Sequence, residues 1–167
     1  MPGNFEAVFD AHKDAVWSLL RRQGVDASRA EDLFQTVFLK AFRAFDAFRE
    51  ESSLKTWLFS IAANVVLDDR RASRRRAGVE IHEAMLVDEA EAGASLDHAE
   101  ALDRLRAALD GVPAHHRLLF TLVRFEGMSI ADAARAAGLT PQAAKVTLFR
   151  VSKRIGERFA AVREETT

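Results

Sequence analysis

The sequence predicts an all-α protein of two small helical domains joined by an acidic linker. Three observations predict it. Apolar residues recur at three- and four-residue spacings through most of the 167 residues. No stretch alternates with the period of a strand, and no internal repeat is visible. Charge is unevenly placed: residues 1–76 carry a net +2, residues 77–100 a net −7 with no basic side chain, and residues 101–167 a net +4, for a total of −1. The acidic middle has sparse, weakly periodic apolar residues and reads as a tether, with room for a helical turn around Ile81 to Val87. The predicted division is 1–76, a linker at 77–97, and 98–167.

The first helix is expected from about Asn4 to Gln23. Phe5, Val8, Phe9, His12, Val16, Leu19 and Leu20 form its apolar face, and Gly24 ends it. Ser28-Arg-Ala-Glu31 reads as a capping box opening the second helix. On that helix Ala30, Leu33, Phe34, Val37, Phe38, Ala41, Phe42 and Phe45 make a continuous stripe, the densest aromatic face in the chain and a predicted core surface. Asp32, Gln35, Thr36 and Lys40 fall off it. After a break at 45–53, Ser52 or Ser53 caps a third helix whose Leu54, Trp57, Leu58, Ile61, Ala62 and Val65 face inward. It ends in D-D-R-R-A-S-R-R-R, with Arg70, Arg71, Arg74, Arg75 and Arg76. Such a run is either a solvated helix end or a set of phosphate-neutralising contacts.

Beyond the linker, a helix over roughly Leu96 to Asp110 is followed by the break Gly111-Val-Pro113, then a helix from Ala114 to Glu126 that Gly127 stops. Residues 129–155 are the most informative stretch. Ser129 is an N-cap with Asp132 three residues on. Ile130, Ala133, Ala134 and Ala137 give a narrow face of small residues that lets another helix approach closely. Gly138 suits a left-handed C-terminal cap, Leu139 plugs the angle, and Thr140-Pro141 restarts the chain as cap and first helical residue. Ala144, Leu148, Val151 and Ile155 form one face of the next helix, while Gln142, Lys145, Val146, Phe149 and Arg150 point elsewhere. This is the pattern of a helix-turn-helix, whose second helix enters the major groove of DNA. An ordinary helical hairpin with a solvated basic face gives the same residues.

Composition narrows the function classes. An apolar content of 49% supports real cores. The absence of cysteine excludes disulfides, thiolate zinc sites and cysteine catalysis. No basic segment followed by an apolar run opens the chain, and no stretch approaches transmembrane length, so a cytoplasmic protein without membrane insertion is expected. No glycine-rich phosphate loop, nucleophile–base pair or metal constellation is visible, so no enzyme and no cofactor are expected. The adjacent histidines His115 and His116 point apart on a helix and make a poor metal site.

Several signatures, in order, resemble the sigma subunits of bacterial RNA polymerase, of the extracytoplasmic-function (ECF) class, over nearly the whole chain. They are A-E-D-L-F-Q-T-V-F-L-K-A-F at 30–42, F-R-E-E-S-S-L-K-T-W-L-F-S-I-A-A-N at 48–64 with the D-D-R-R end, the L-x-x-L-x-x-V-P-x-x-x-R segment, and G-M-S-I-A-D-A-A leading into the last helix. The resemblance implies a non-enzymatic factor that binds core RNA polymerase and directs it to specific, stress-type promoters. It implies an N-terminal domain that docks on polymerase and recognises and melts the −10 element, a C-terminal domain that reads the duplex −35 element, and control by an anti-sigma factor. By residue, it implies polymerase docking for Asp32 and Gln35. For the −10 element it implies a specificity loop from Phe48 to Ser53, with Phe48, Ser52 and Ser53 as its contacts, and Asn64 at an extruded base, with Arg70, Arg71, Arg74 and Arg75 on the backbone. Trp57 matches a family tryptophan and is read as chiefly structural. For the −35 element it implies Gln142, Lys145, Val146, Phe149 and Arg150.

Departures are local. Val146 stands where the family often has serine, which favours an apolar contact such as a thymine methyl. Asp132-Ala133-Ala134 and His115-His116 also differ from common family residues. They bear on the −35 sequence read, not on the role. Two other classes use some of the same residues. A free-standing helix-turn-helix regulator accounts for 129–155 but not for 30–64, and a sigma-like decoy that sequesters an anti-sigma factor needs no DNA-reading face.

Overall fold

The computed structural model describes residues 4–78, 104, 105 and 107–165. Six α-helices are described: α1 (Phe5–Arg22), α2 (Ala27–Ala44), α3 (Leu54–Arg76), α4 (Ala114–Arg124), α5 (Ile130–Ala136) and α6 (Pro141–Glu165), with a 3₁₀ turn at Phe45–Ala47. Among the described residues there is no strand. Residues 104, 105 and 107–109 are helical and belong to the helix expected over 96–110, the rest of which lies outside the described residues, as does the acidic linker beyond Gly78.

Helix starts follow from their caps. The Asn4 side chain accepts from the Glu6 N–H at 3.1 Å, Ser53 Oγ from Thr56 N–H at 3.1 Å, Ser129 Oγ from Asp132 N–H at 3.1 Å and Thr140 Oγ1 from Ala143 N–H at 3.2 Å. Each such cap stabilises its helix by about 1 kcal/mol. The second helix corrects the expected capping box. Its cap is Asp26, extended at φ −62° and ψ 163°, whose carboxylate accepts from Arg29 N–H at 2.8 Å. Asp26 offers a charged acceptor to the N-terminal dipole, so the helix starts before Ser28, which lies inside the first turn.

The aromatic stripe of α2 packs edge-on against α1. Phe9 meets Phe38 at 4.7 Å and Phe34 at 6.1 Å, Trp17 meets Phe34 at 6.0 Å, and Phe5 lies 5.3 Å from both Phe42 and Phe45. Phe42 nevertheless stays 62% exposed, which corrects its assignment to the core. It sits at the margin of the stripe, five residues past Val37, where the helix surface has turned toward solvent.

Helix α3 is the centre of the molecule. It packs against α1 and α2 on one side and against α4 and α5 on the other. Leu58, Ala62 and Val65 are buried as expected, but so are Phe59, Ala63 and Val66. A helix with neighbours on two sides buries more than one stripe. One apolar core therefore runs through both halves. In the C-terminal half α4, α5 and α6 pack pairwise on one another. Arg154 and Arg158 of α6 donate to the carbonyls of Asp110 and Ala107, the former at 2.9 Å, closing the C-terminal end of the helix that precedes α4.

Candidate nucleic-acid interface

The turn between α5 and α6 is built as the sequence suggests. Gly138 is left-handed at φ +73°. Its N–H donates to the Arg135 carbonyl at 3.3 Å, and the Leu139 N–H donates to the Ala134 carbonyl at 2.8 Å. These two bonds are a Schellman motif, which fixes the angle at which α6 leaves. Ala133, Ala134, Ala136 and Ala137 are buried, so α6 sits close on α5. The Ser129 hydroxyl also donates to the Asp132 carboxylate at 2.8 Å, completing the start of α5.

On α6 the inward face is Ala144, Leu148 and Val151, all buried, with Thr147 beside them. Gln142, Lys145, Val146, Phe149 and Arg150 are all exposed, at spacings that form one strip along the helix. Phe149 is 71% and Val146 46% exposed. Two apolar side chains therefore stand in water between two cations. The cations suit phosphate or guanine edges and the apolar groups suit a thymine methyl.

A second exposed strip lies on α2. Asp32 and Gln35 are exposed, and at the same angle stand Leu39, 50% exposed, and Phe42. Asp32 lies 3.7 Å from the Arg29 guanidinium, which also bonds Asp69 from Nε at 2.9 Å and so joins α2 to α3. That hydrogen bond raises the Arg29 pKa from its ordinary value. Leu39 and Phe42 were missed in the sequence because the aromatic stripe absorbed one and the other was a lone leucine off it. The signal was their spacing from Asp32 and Gln35.

The loop after α2 surrounds a small open cavity of about 240 Å³ lined by Ala47, Phe48, Arg49, Glu51, Ser52 and Trp57. Phe48 and Trp57 rings lie 5.0 Å apart, tilted by 43°. The cavity is smaller than the roughly 300–1,000 Å³ of drug-sized sites. The structure thus brings together Phe48 and Ser52. Ser53 is instead occupied as the cap of α3, donating to Thr56 Oγ1 at 3.0 Å. Asn64, two turns further along α3, is exposed and not part of the lining. Trp57, read as chiefly structural, is a wall of this cavity, and Arg49 and Glu51 of the 48–53 loop line it too. Glu50 holds φ +57°, an unusual conformation for a side-chain-bearing residue, so the loop follows a bent path that is not legible in F-R-E-E-S-S.

The arginine run divides. Arg71, Arg75 and Arg76 are exposed, and Arg71 lies 3.8 Å from Asp68. Arg70 turns inward and donates to the main-chain carbonyl of Gln23. Burial lowers its pKa from the ordinary value.

Comparison with known proteins agrees with both halves. The chain matches Sigma-70 region 2 over residues 8–76 and Sigma-70, region 4 over residues 102–155. It is 32% identical to the ECF RNA polymerase sigma factor SigF of Caulobacter vibrioides over 142 residues, 83% of this chain and 75% of that protein. It is 26% identical to the ECF RNA polymerase sigma factor SigX of Bacillus subtilis over 175 residues, 99% of this chain and 88% of that one. Among solved structures it resembles the sigma factor RpoE in complex with the anti-sigma factor NepR from Bartonella quintana. The TM-score is 0.72 at 26% identity, covering 93% of this chain and 96% of that chain. CnrH, solved with the cytosolic domain of CnrY, shares the fold with a TM-score of 0.66 at 24% identity, over 95% of this chain and 91% of that one.

Proposed function

We infer that this chain, which belongs to the family of ECF RNA polymerase sigma factors, binds core RNA polymerase and directs it to specific promoters. The observation that carries the reading is the presence in one chain of both matched regions, region 2 followed by region 4. Residues 1–76 form the polymerase-binding and −10 domain, 77–97 the linker and 98–167 the −35 domain. The factor has no catalytic role of its own.

Each surface has a task that fits its chemistry. The α2 strip of Asp32 and Gln35, extended by Leu39 and Phe42, docks on polymerase. An acidic and apolar strip suits a protein partner better than a polyanion. The cavity between Phe48 and Trp57, with Ser52 at its rim and Ser53 holding the helix start, takes an extruded base of the melted −10 element by stacking. Asn64, Arg71, Arg74 and Arg75 continue that path along the strand, while Arg70 is turned away from it, bonded to the Gln23 carbonyl. Gln142, Lys145, Val146, Phe149 and Arg150 read the −35 duplex. An anti-sigma factor regulates the chain, in keeping with the anti-sigma factor NepR held by the sigma factor RpoE that it resembles. Among the described residues no helix is long and apolar enough to cross a membrane, and we place the protein in the cytoplasm.

The test is run-off transcription. Core polymerase with this protein should start transcripts at a small set of promoters on which core alone is silent. Reconstituted holoenzyme that yields no promoter-specific transcript from any genomic fragment would sink the reading.

A further inference from the structure

Rotation along α6 sorts its exposed strip into a middle and two edges. At about 100° per residue, Gln142, Phe149 and Lys153 lie nearly in line, with Val146 about 40° from Gln142. Lys145 falls about 60° to one side of Gln142 and Arg150 about 80° to the other. All of these side chains are exposed. The strip therefore sets the mostly exposed Phe149 and the half-exposed Val146 in its middle, with a cation on each edge. Behind them Ala144, Leu148 and Val151 are buried, and α6 packs on α4 and α5, so the helix cannot roll to hide the apolar pair.

That order matters in a groove. From Gln142 to Arg150 the strip is about 12 Å long at ~1.5 Å per residue. This is the run of about three to four base pairs at ~3.4 Å per step. A helix lying in the major groove turns its middle line to the floor, where the base edges are, and its edges to the two phosphate walls. Cations on both edges are what the walls require. The floor is harder to satisfy. Adenine, guanine and cytosine present hydrogen-bonding groups there, and an apolar side chain strips these of water without replacing it, at a cost. A pyrimidine with a methyl on C5 is the exception, because that methyl is apolar and projects into the groove.

Val146 is shaped for such a contact. A β-branched side chain on a helix has one strongly preferred rotamer, so its methyls are held in place before DNA arrives. A serine here would offer a hydroxyl that can bond several base edges, whereas valine offers none. Phe149, one turn further along, extends the apolar middle and excludes water from it.

We propose that Val146, supported by Phe149, makes α6 a sensor of a C5 methyl on one pyrimidine of the −35 element. Thymine carries that methyl by nature, and 5-methylcytosine carries the same group at the same place in the groove. Promoter affinity thereby responds to methylation of a cytosine at that position, a modification that changes no base pair. The proposal rests on the sigma-factor reading, and its test separates the two.

Holoenzyme reconstituted with the full chain first selects its duplex element from a random-sequence library. Each thymine of the −35 part, on either strand, is then replaced singly by deoxyuridine. This deletes the methyl and leaves pairing and every hydrogen-bonding atom in place. Affinity should fall about four-fold at one position, the effect of burying one methyl, and stay level elsewhere. With cytosine in place of that thymine, methylation at C5 should raise affinity by about the same four-fold. Val146→Ala should abolish both differences with helical content unchanged, and Val146→Ile should keep them. An element in which no thymine responds to loss of its methyl would overturn the sensor and leave the sigma reading standing. So would a Val146→Ala chain that discriminates as well as wild type. A Val146→Ala chain that loses core binding instead of discrimination would make the apolar pair a protein contact, and overturn the sensor in that way. Holoenzyme that selects no element at all would overturn both readings.

Discussion

The outer strips of α2 and α6 are alike in geometry and opposite in chemistry. Each is a line of exposed side chains on a helix whose other face is buried, and each sets large apolar groups in water beside polar ones. On α2 these are Leu39 and Phe42 with Asp32 and Gln35, and on α6 Val146 and Phe149 with Lys145, Arg150 and Gln142. Shape therefore does not separate the proposed protein-docking face from the proposed DNA-reading one. Charge does. A carboxylate at the start of the α2 strip repels a phosphate backbone, whereas two cations flanking Phe149 draw one in.

The comparison breaks most visibly at Arg150. Arg150→Glu removes a donor and places a carboxylate against the DNA. Affinity for a −35 duplex should fall by about 3 kcal/mol, or roughly 100-fold, with binding to core polymerase unchanged. Titration of labelled protein with core, and of holoenzyme with duplex, separates the two. Equal loss of both would mean that the fold, not the contact, was damaged. The counterpart is Phe42→Ala. Losing a ring that docking would bury should weaken core binding by about 1.5–2.5 kcal/mol, roughly 10- to 60-fold. The fold should hold, because Phe42 is mostly in solvent already. If Phe42→Ala binds core normally and loses DNA instead, the assignment of the two strips is reversed.

Much of this was legible in the sequence. The Schellman turn at Gly138, the Ser129, Ser53 and Thr140 caps and the exposed face of α6 all depend on residues within a few positions of each other, where local geometry decides. What was not legible depends on distant neighbours. α3 buries Phe59, Ala63 and Val66 besides its expected stripe because α4 and α5 cover its second side. Gln23 reads as a polar helix end and is buried only because Thr121 and Arg117 arrive from nearly a hundred residues away. Arg70 reads as one of a solvated run and turns inward for the same reason. Trp57 was assigned to structure and proves to be also a wall of a cavity, because the path of the preceding loop is set by the left-handed Glu50.

The smallest effect lies in neither strip but behind them, at Glu126 in the turn after α4. Burial pushes the Glu126 carboxyl above its ordinary value near 4.5, and Arg22 and Lys55 only partly oppose it. When the chain unfolds, water returns and the value falls back. Between the two values the folded chain binds more protons than the unfolded one, so this contribution to stability grows as the pH falls through that window and is lost as the pH rises through the folded-state value. Below about 4.5 the carboxyl is protonated in both forms and the effect levels off. His12 pulls the other way. Burial, and then Lys55, lowers its pKa, so acid charges it more readily once the chain unfolds, and that opposes the folded form below its ordinary 6.5. Glu126→Gln separates the two, since it keeps His12 and abolishes the carboxyl titration. Denaturant unfolding from pH 7 to pH 4.5 should show the folding equilibrium of wild type gaining a few-fold relative to Glu126→Gln as the pH falls. Parallel curves for the two proteins would show that Glu126 does not carry the proton linkage, and that the seam behind the two strips, where α4 meets α1 and α3, is set by apolar packing alone.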